Sequence, residues 1–176
     1  MAKLIFITGG ARSGKSSFAL EIAKSIERDK LFLATCIPQD EEMKRRVRLH
    51  KQERPSSWRT IEANKGLASV LRKEVESDIV IILDCLTLFV SAMLVEGKEE
   101  EKIKSEVREI VRIIKKGKST VIIVTNEVGL GLVPDNKLSR DFRDIAGFCN
   151  QIVASGSDEA YFMISAIPLQ IKGGTN

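Results

Sequence analysis

Leu4-Ile5-Phe6-Ile7-Thr8-Gly9-Gly10-Ala11-Arg12-Ser13-Gly14-Lys15-Ser16 is a short apolar run that passes directly into a glycine-rich segment. Residues 9–16 fit the pattern GxxxxGK[ST] without deviation. Gly9 and Gly14 allow the backbone to curl so that successive N–H groups point inward, toward the oxygens of a phosphate chain. We therefore expect a strand over Leu4–Thr8, a phosphate cradle over residues 9–16 and a helix that begins near Lys15.

The polar side chains of the cradle suit a nucleoside triphosphate. Lys15 supplies a positive charge to the β- and γ-phosphates, and the helix that begins there adds its N-terminal dipole. The hydroxyl of Ser16 is the expected ligand for Mg²⁺. The segment thus predicts a P-loop protein that binds GTP or ATP by the phosphate chain.

Five apolar, β-branched runs predict the strands of a parallel sheet. They are nearly all apolar rather than alternating, which is typical of strands buried on both faces. Helical patterns lie between them, so we expect an α/β domain of the P-loop NTPase type, RecA-like, with a mostly parallel sheet and helices on both faces. The runs are Leu4–Thr8, Leu31–Thr35, Ile79–Asp84, Thr120–Thr125 and Ala160–Ser165.

Three apolar stripes at helical spacing predict the helices that cover the sheet. The turn at Gly97, with Glu99 to Glu101, is expected to separate two helices rather than two domains, so residues 1–176 form one domain. The stripes are Phe18, Ile22 and Ile26; then Ile103, Val107 and Val111, widened by Ile110 and Ile114; then, within Leu138–Ala154, Leu138, Phe142, Ile145, Cys149 and Ile152.

Composition describes an ordinary globular protein. Hydrophobic residues make up 43% and charged residues 30% of the 176 residues, and the longest apolar run, Ile79–Leu83, is too short to span a membrane. The N-terminus enters a strand pattern directly, so no signal peptide is expected. Cys36, Cys85 and Cys149 are odd in number and widely spaced, which argues against a disulfide framework or zinc site and favours the reducing cytoplasm.

A buried apolar run that ends in a carboxylate, Ile79–Asp84, predicts a second part of the nucleotide site. In P-loop proteins such an Asp lies beside the Mg²⁺ at the carboxyl edge of the sheet. An Asp in this position can also be a simple helix cap, since Thr87 offers a helix start nearby. The cradle favours the metal-binding interpretation of Asp84.

His50 is the only histidine, and it lies in a basic cluster from Lys44 to Arg54 with six basic residues and one acidic residue, Glu53. Surrounding cations lower the pKa of an imidazole, so a neutral His50 could attack phosphorus. The same cations could stabilise a transferring phosphoryl group. Composition leaves two alternatives open, a solvated helix face and a simple anion-binding patch.

In its order of motifs the chain resembles the bifunctional adenosylcobinamide kinase/adenosylcobinamide-phosphate guanylyltransferases of cobalamin biosynthesis. The resemblance covers nearly the whole chain. It rests on the cradle, Ala34-Thr35, His50 with Arg54-Pro55, Trp58-Arg59-Thr60-Ile61-Glu62, Asp84-Cys85-Leu86-Thr87-Leu88, Asn126-Glu127-Val128-Gly129 with Gly131 and Pro134, Arg140-Asp141-Phe142-Arg143-Asp144, Gly147, Asn150-Gln151 and Pro168-Leu169.

The resemblance implies two reactions. The first phosphorylates the aminopropanol hydroxyl of adenosylcobinamide with ATP or GTP; the second transfers GMP from GTP to that phosphate through a guanylylated His50. It also implies that guanine nucleotide is held by the cradle and by Ala34, Thr35, Cys36, Lys51, Gln52, Glu53, Arg54, Glu62 and Asp84, and that the enzyme is a homotrimer.

Three positions depart from the family pattern. Phe89, Ala92 and Ala166 stand where the family commonly has Trp, Asn and Gly. We expect none of them to touch the cradle or His50, so the departures bear on the corrinoid contacts rather than on the nucleotide chemistry.

A polar face is expected on the last predicted helix, and it suggests a contact with another subunit or with the corrinoid. A glycine within a helix costs about 1 kcal/mol relative to alanine, so Gly147 favours a close approach there. A solvated face with a tolerated glycine is the alternative. The face comprises Arg140, Arg143, Asp144, Gly147, Asn150 and Gln151.

Two other functions remain open from the sequence. A small-molecule kinase would use the cradle without His50. A nucleotide-dependent regulator would bind nucleic acid through the basic cluster, but a net charge of +4 and only one Trp and one Tyr give little for backbone binding or base stacking. We therefore expect no nucleic-acid partner.

Overall fold

The computed structural model describes residues 2–35, 41, 45, 55, 57–63 and 66–174. Its strands are β1 (Lys3–Gly9), β2 (Lys30–Ala34), β3 (Arg59–Glu62), β4 (Val80–Asp84), β5 (Thr120–Val124), β6 (Glu159–Ile164) and β7 (Ile167–Lys172). Its helices of eight or more residues are α1 (Lys15–Ser25), α2 (Leu67–Glu74), α3 (Leu86–Val95), α4 (Glu100–Lys116) and α5 (Lys137–Gly156).

The strands form one seven-stranded sheet in the order β3-β2-β4-β5-β1-β6-β7. Every neighbouring pair is parallel except β6 and β7, which form an antiparallel hairpin at one edge. This confirms the mostly parallel α/β sheet. The carboxyl ends of β1, β2, β4 and β5 share one edge, where ligands bind in open α/β folds.

Alternate residues of each central strand point to opposite faces, and each face has its own apolar core. On one face, Ile5, Ile7 and Ile82 pack with Ala19, Leu20 and Ala23 of α1. On the other face, Leu4, Phe6 and Leu83 pack with residues from α2, α3, α4 and α5. Helices therefore cover both faces, with α1 beneath the cradle.

The five predicted strands are observed with ends that differ by no more than one residue, but β3 and β7 were not predicted because neither is a continuous apolar run. All four residues of β3 are half-buried or exposed, and all six of β7 are exposed. β7 lies at the sheet edge and contains Pro168, a residue tolerated at edges because an edge strand needs fewer N–H donors. An edge strand lacks the burial that makes a strand visible in sequence.

The predicted helices are present, but two stripes are offset from the buried surface. In α1 the deeply buried apolar residues are Ala19, Leu20 and Ala23, and Phe18 and Ile22 are only partly buried. In α5 the prediction for Leu138 is wrong, because that side chain is 56% exposed. The interior face of α5 consists of Ile145, Ala146, Cys149, Asn150 and Val153.

The turn predicted at Gly97 lies between α3 and α4, and Gly97 has the positive φ of 78° that favours glycine in turns. Cys85 and Cys149 are buried free thiols. Burial raises the pKa of Cys149 to about 11, so this thiol stays protonated and unreactive near neutral pH. Within the described ranges, no helix is long and apolar enough to cross a bilayer.

Candidate nucleotide-binding site

The cradle connects the end of β1 to the start of α1, and two of its glycines are required by geometry. Gly14 has φ 90°, and a Cβ there would lie 3.0 Å from the Cα of Ala166. A Cβ on Gly9 would lie 2.6 Å from the carbonyl oxygen of Met163. The first turn of α1 has neither a side-chain cap nor an acidic residue, so its N–H groups are suited to an anion.

Lys15 lies at the centre of the cradle and is only 7% exposed. Its Nζ donates to the carbonyl oxygen of Gly10 at 2.5 Å and to Ser13 Oγ at 3.3 Å. Burial lowers the pKa of Lys15, although Cys85 and Asp84 act in the opposite direction. An ammonium group held in a poorly hydrated place is one that a phosphate would stabilise strongly.

The lowered pKa of Lys15 predicts a pH dependence of triphosphate binding. A bound phosphate chain favours the charged amine, so the pKa of Lys15 is higher with ligand than without it. The affinity for the triphosphate is therefore greatest below the pKa that Lys15 has in the ligand-free protein. It falls as the pH rises through that pKa, which lies below the ordinary value of 10.5. Calorimetric titration with ATP from pH 7 to about 10 should show this fall.

ATP is the appropriate probe because guanine itself loses a proton in the alkaline range. In the Lys15→Met variant, binding should be weaker and should not change with pH over the same interval. An equal slope in wild type and variant would contradict the assignment to Lys15.

Ser16 and Asp84 meet across the sheet edge. Ser16 Oγ donates to Asp84 Oδ2 at 2.9 Å, although the two residues belong to α1 and β4. A hydroxyl beside a carboxylate is a hard-oxygen donor set that fits Mg²⁺, which usually takes one or two protein ligands and completes its shell with water and phosphate oxygens. Among the described residues no cluster of three or more His, Cys, Asp or Glu side chains could hold a metal, so the donor set suits a metal that arrives with phosphates.

Glu62 and Ala34 share the edge with Asp84. In the sheet register, Glu62 is paired with Ala34, and Ala34 with Asp84. Neighbouring strands lie ~4.8 Å apart, so Glu62 and Asp84 are separated by about 10 Å of sheet width. A nucleotide whose phosphates occupy the cradle can extend along this edge toward Glu62.

The buried side chain of Thr35 holds the end of β4 at the sheet edge. It is 1% exposed, and its hydroxyl donates to the carbonyl oxygen of Cys85 at 2.7 Å and accepts from the N–H of Cys85 at 2.8 Å. The peptide bond between Asp84 and Cys85 is cis. The side chain of Thr35 thus holds the end of β4, and any contact of this residue with nucleotide is expected through its main chain.

The expectation that Ala166 lies away from the cradle is wrong. The N–H of Ala166 donates to the carbonyl oxygen of Ser13 at 2.9 Å. Ser165 and Ala166 form the tight turn of the β6–β7 hairpin, and both have positive φ, 50° and 66°, as a type I′ turn requires. The hairpin brings this turn against the cradle from a position far along the chain.

Replacing Ala166 with glycine should stabilise the protein. Alanine in the left-handed region costs about 1 kcal/mol relative to glycine, so we expect the Tm to rise by about 2–4 °C for a chain of this size. Differential scanning calorimetry measures the change. Ala154→Gly in α5 is the matched control and should lower the Tm, because there glycine destabilises a helix. A lower Tm for Ala166→Gly would show that the turn is not strained.

A buried hydrogen-bonded network of three polar side chains behind the site was not predicted from the sequence. Thr87, Thr125 and Asn150 are at most 8% exposed. Thr125 Oγ1 donates to Asn150 Oδ1 at 2.9 Å, and Thr87 and Thr125 share a hydrogen bond of 2.8 Å. Because the Thr125 proton is directed to Asn150, Thr87 is the donor to Thr125.

The segment that follows β5 is held by this hydrogen-bonded network and by the cradle. The N–H of Asn126 donates to Thr87 Oγ1 at 2.7 Å, and the N–H of Glu127 donates to the carbonyl oxygen of Gly9 at 2.9 Å. The assignment of Asn150 to an outer face of α5 is therefore wrong. Asn150 is next to Cys149 and three residues before Val153, a spacing that places it among buried positions of the helix. This spacing was the sequence signal for a buried, hydrogen-bonded amide.

The remaining predicted face of α5 is exposed or half-buried. A Cβ on Gly147 would meet nothing within 4 Å, so packing with the described residues does not require this glycine. Its proposed contact with a subunit or the corrinoid stays a prediction. His50, Cys36, Lys51, Gln52, Glu53 and Arg54 lie outside the described residues, and so does most of the basic cluster.

Comparison with known proteins covers almost the entire chain. Residues 5–171 match the family described as cobinamide kinase / cobinamide phosphate guanyltransferase. The chain is 37% identical to the bifunctional adenosylcobalamin biosynthesis protein CobU of Salmonella typhimurium, over 96% of this chain and 99% of that protein. It is 35% identical to the protein CobP of Pseudomonas aeruginosa, over 95% of this chain and 96% of that protein.

Solved structures support the fold independently. A prototypical ATPase from the type III secretion system of pathogenic bacteria superposes with a TM-score of 0.57 at 15% identity, over 92% of this chain and 51% of that one. A Pyrococcus horikoshii OT3 protein superposes with a TM-score of 0.58 at 6% identity, over 99% of this chain and 88% of that one. The family match over residues 5–171 and the full-length relatives show that the chain belongs to the cobinamide kinase / cobinamide phosphate guanyltransferase family of bifunctional enzymes.

Proposed function

We propose that this protein phosphorylates adenosylcobinamide and then transfers GMP from GTP to the product, using the cradle for both reactions. The observation that carries the proposal is the arrangement of Lys15 inside the cradle with Ser16 hydrogen-bonded to Asp84 at 2.9 Å. Family membership adds the identity of the acceptor. A positioned triphosphate offers two phosphorus atoms for attack, the γ and the α.

In the kinase reaction, a hydroxyl oxygen of the cobinamide arm attacks the γ-phosphorus of ATP or GTP. The new P–O bond forms as the bond to the β-phosphate oxygen breaks, and the nucleoside diphosphate leaves with that electron pair. Lys15 and the N–H groups at the start of α1 stabilise the charge on the phosphate oxygens. The hydroxyl proton passes to solvent or to a nearby carboxylate.

In the guanylyl reaction, we assign the attacking group to His50. A neutral ring nitrogen attacks the α-phosphorus of GTP, an N–P bond forms, and pyrophosphate leaves. The phosphate of cobinamide phosphate then attacks the same phosphorus, the N–P bond breaks, and His50 regains its lone pair. The assignment rests on the family pattern and on His50 being the only imidazole in the chain.

Ser16 and Asp84 are the residues that would hold Mg²⁺. The ion, when bound with the triphosphate, supplies neutralisation of phosphate charge. Ala34, Thr35, Cys36, Glu62 and the residues from Lys51 to Arg54 complete the proposed contacts with the guanine nucleotide. The family resemblance also leads us to propose a homotrimer, which light scattering coupled to gel filtration would test.

Two labelled forms of GTP test the proposal on the wild-type enzyme. GTP labelled at the α-phosphorus should leave an acid-labile, alkali-stable label on the protein, the behaviour of a phosphoramidate. GTP labelled at the γ-phosphorus should transfer its label to adenosylcobinamide. Transfer of the γ label alone would leave a small-molecule kinase, and transfer of neither would refute the proposed function.

A further inference from the structure

The segment after β5, which is joined to the cradle through Glu127, exposes three large apolar side chains. Leu130, Leu132 and Val133 are 77%, 94% and 66% exposed. We call Leu130-Gly131-Leu132-Val133 the apolar loop. Large apolar side chains grouped together on a surface usually mark a place where another molecule binds, because leaving them in water costs free energy.

Hydrogen bonds hold the residues that flank this loop, and one of them joins Glu127, three residues before the loop, to the cradle. Before it, the N–H of Glu127 donates to the carbonyl oxygen of Gly9, and Glu127 Oε1 accepts from the N–H of Gly129 at 2.7 Å. After it, Arg140 Nη1 donates to the carbonyl oxygen of Pro134 at 3.0 Å. Between these points, residues 130–133 form no hydrogen bond with any other residue in the described part of the chain.

The chemistry of the loop matches an acceptor with a partly apolar surface better than a polyanionic nucleotide. Residues 128–133 carry no charged side chain, whereas the cradle beside them presents N–H groups and Lys15 to a polyanion. A corrinoid is a large macrocycle whose rim bears methyl groups as well as amide side chains, and its reactive hydroxyl lies at the end of a flexible arm. With that hydroxyl at the cradle, the macrocycle must lie nearby on the same edge of the sheet.

We propose that the apolar loop is the binding surface for the corrinoid ring of the acceptor. The inference rests on the proposed function, which supplies the acceptor. Leu130, Leu132 and Val133 contact the methyl-bearing rim, while the anchored residues on either side hold the loop next to the phosphorus that is attacked. The buried hydrogen-bonded network of Thr87, Thr125 and Asn150 holds Asn126, from which the segment leads to the loop.

A second copy of this chain is the competing occupant, and the loop alone is small for that purpose. A stable protein interface buries about 800 Å² on each partner. Three aliphatic side chains offer roughly 200–350 Å² of apolar surface. That area suits one face of a small ligand rather than a subunit contact.

The test compares the double variant Leu132→Ser/Val133→Ser with Val95→Ser. Val95 is 68% exposed, nearly the same as Val133, but it lies at the far end of α3 from the sheet edge. For the double variant we expect the KM for adenosylcobinamide to rise at least about tenfold. The KM for the nucleotide and the corrinoid-independent labelling of the protein by α-labelled GTP should remain unchanged, and Val95→Ser should match wild type in all assays.

Equilibrium dialysis with adenosylcobinamide, detected by its visible absorbance, measures the same loss without turnover. An unchanged corrinoid KM and affinity would overturn the proposal, and so would an equal loss of protein guanylylation, which would place the effect in the cradle. A change in oligomeric state with unchanged corrinoid affinity would identify the loop as a contact between copies and also overturn it. Failure of the wild-type enzyme to modify adenosylcobinamide would instead refute the proposed function.

Discussion

Replacing Lys15 with methionine should lower kcat/KM of both phosphoryl transfer and guanylyl transfer by about 10²- to 10³-fold. In the proposed function, both reactions develop negative charge on a phosphate chain held in one cradle. The ammonium group of Lys15, bonded to Gly10 and Ser13 in this structure, is the charge placed to stabilise it. Steady-state rates with adenosylcobinamide and with cobinamide phosphate measure the two losses separately.

Loss of activity in this variant can be separated from loss of the fold. Lys15 is buried, and burial lowers its pKa, so the charged form is unfavourable where no phosphate is bound. Methionine fills a similar volume without that penalty, and we expect a Tm equal to or higher than that of wild type in nucleotide-free protein.

Lys24→Met is the matched control for Lys15→Met. It removes an exposed lysine from the last turn of the same helix, and we expect both rates to stay within about twofold of wild type. If Lys15→Met impaired only one of the two reactions, the idea of a single shared cradle would be wrong.

Replacing His50 with alanine should abolish the covalent guanylyl intermediate and lower GMP transfer by at least about 10³-fold. The chain has no second histidine to take over the attack. The kinase reaction needs no nitrogen nucleophile, so phosphorylation of adenosylcobinamide should stay within roughly tenfold of wild type. Mass spectrometry of the intact protein after incubation with GTP shows whether the guanylyl group is attached.

The two variants together give a pattern that a damaged fold would not produce. Lys15→Met should lose both activities, whereas His50→Ala should lose only one. A guanylylated protein in the His50→Ala variant would show that another residue is the nucleophile. A parallel loss of the kinase reaction would show that His50 acts at the γ-phosphorus or supports the cradle.

The cradle was predictable because its geometry depends on neighbours in sequence. Gly9, Gly14 and Lys15 act through the backbone and side chains of one loop, and the preceding strand is visible as a continuous apolar run. Asp84 was predictable for a similar reason, since it ends a run that is buried on both faces. The family pattern extended the prediction to the chemistry, and the matched residues 5–171 confirm the family.

Other features depend on residues that only folding brings together. The sequence pattern predicts no contact of Ala166 with the cradle, but the antiparallel β6–β7 hairpin places its backbone nitrogen 2.9 Å from the carbonyl oxygen of Ser13. The hydrogen bonds among Thr87, Thr125 and Asn150 join α3, the residue that follows β5, and α5. No local spacing encodes such contacts, because the partners are separated by tens of residues and meet through the order of strands in the sheet.

The phosphate cradle and the parallel α/β fold were thus determined by the sequence alone, because a strand, a glycine-rich turn and a helix start are encoded by consecutive residues. The tertiary structure alone decided what surrounds the cradle. It brought the strained hairpin turn against Gly14, the end of β4 within reach of Ser16, and Glu127, three residues before the apolar loop, beside Gly9. These neighbours come from distant parts of the chain, and the sheet places them at one edge because parallel strands share their carboxyl ends there.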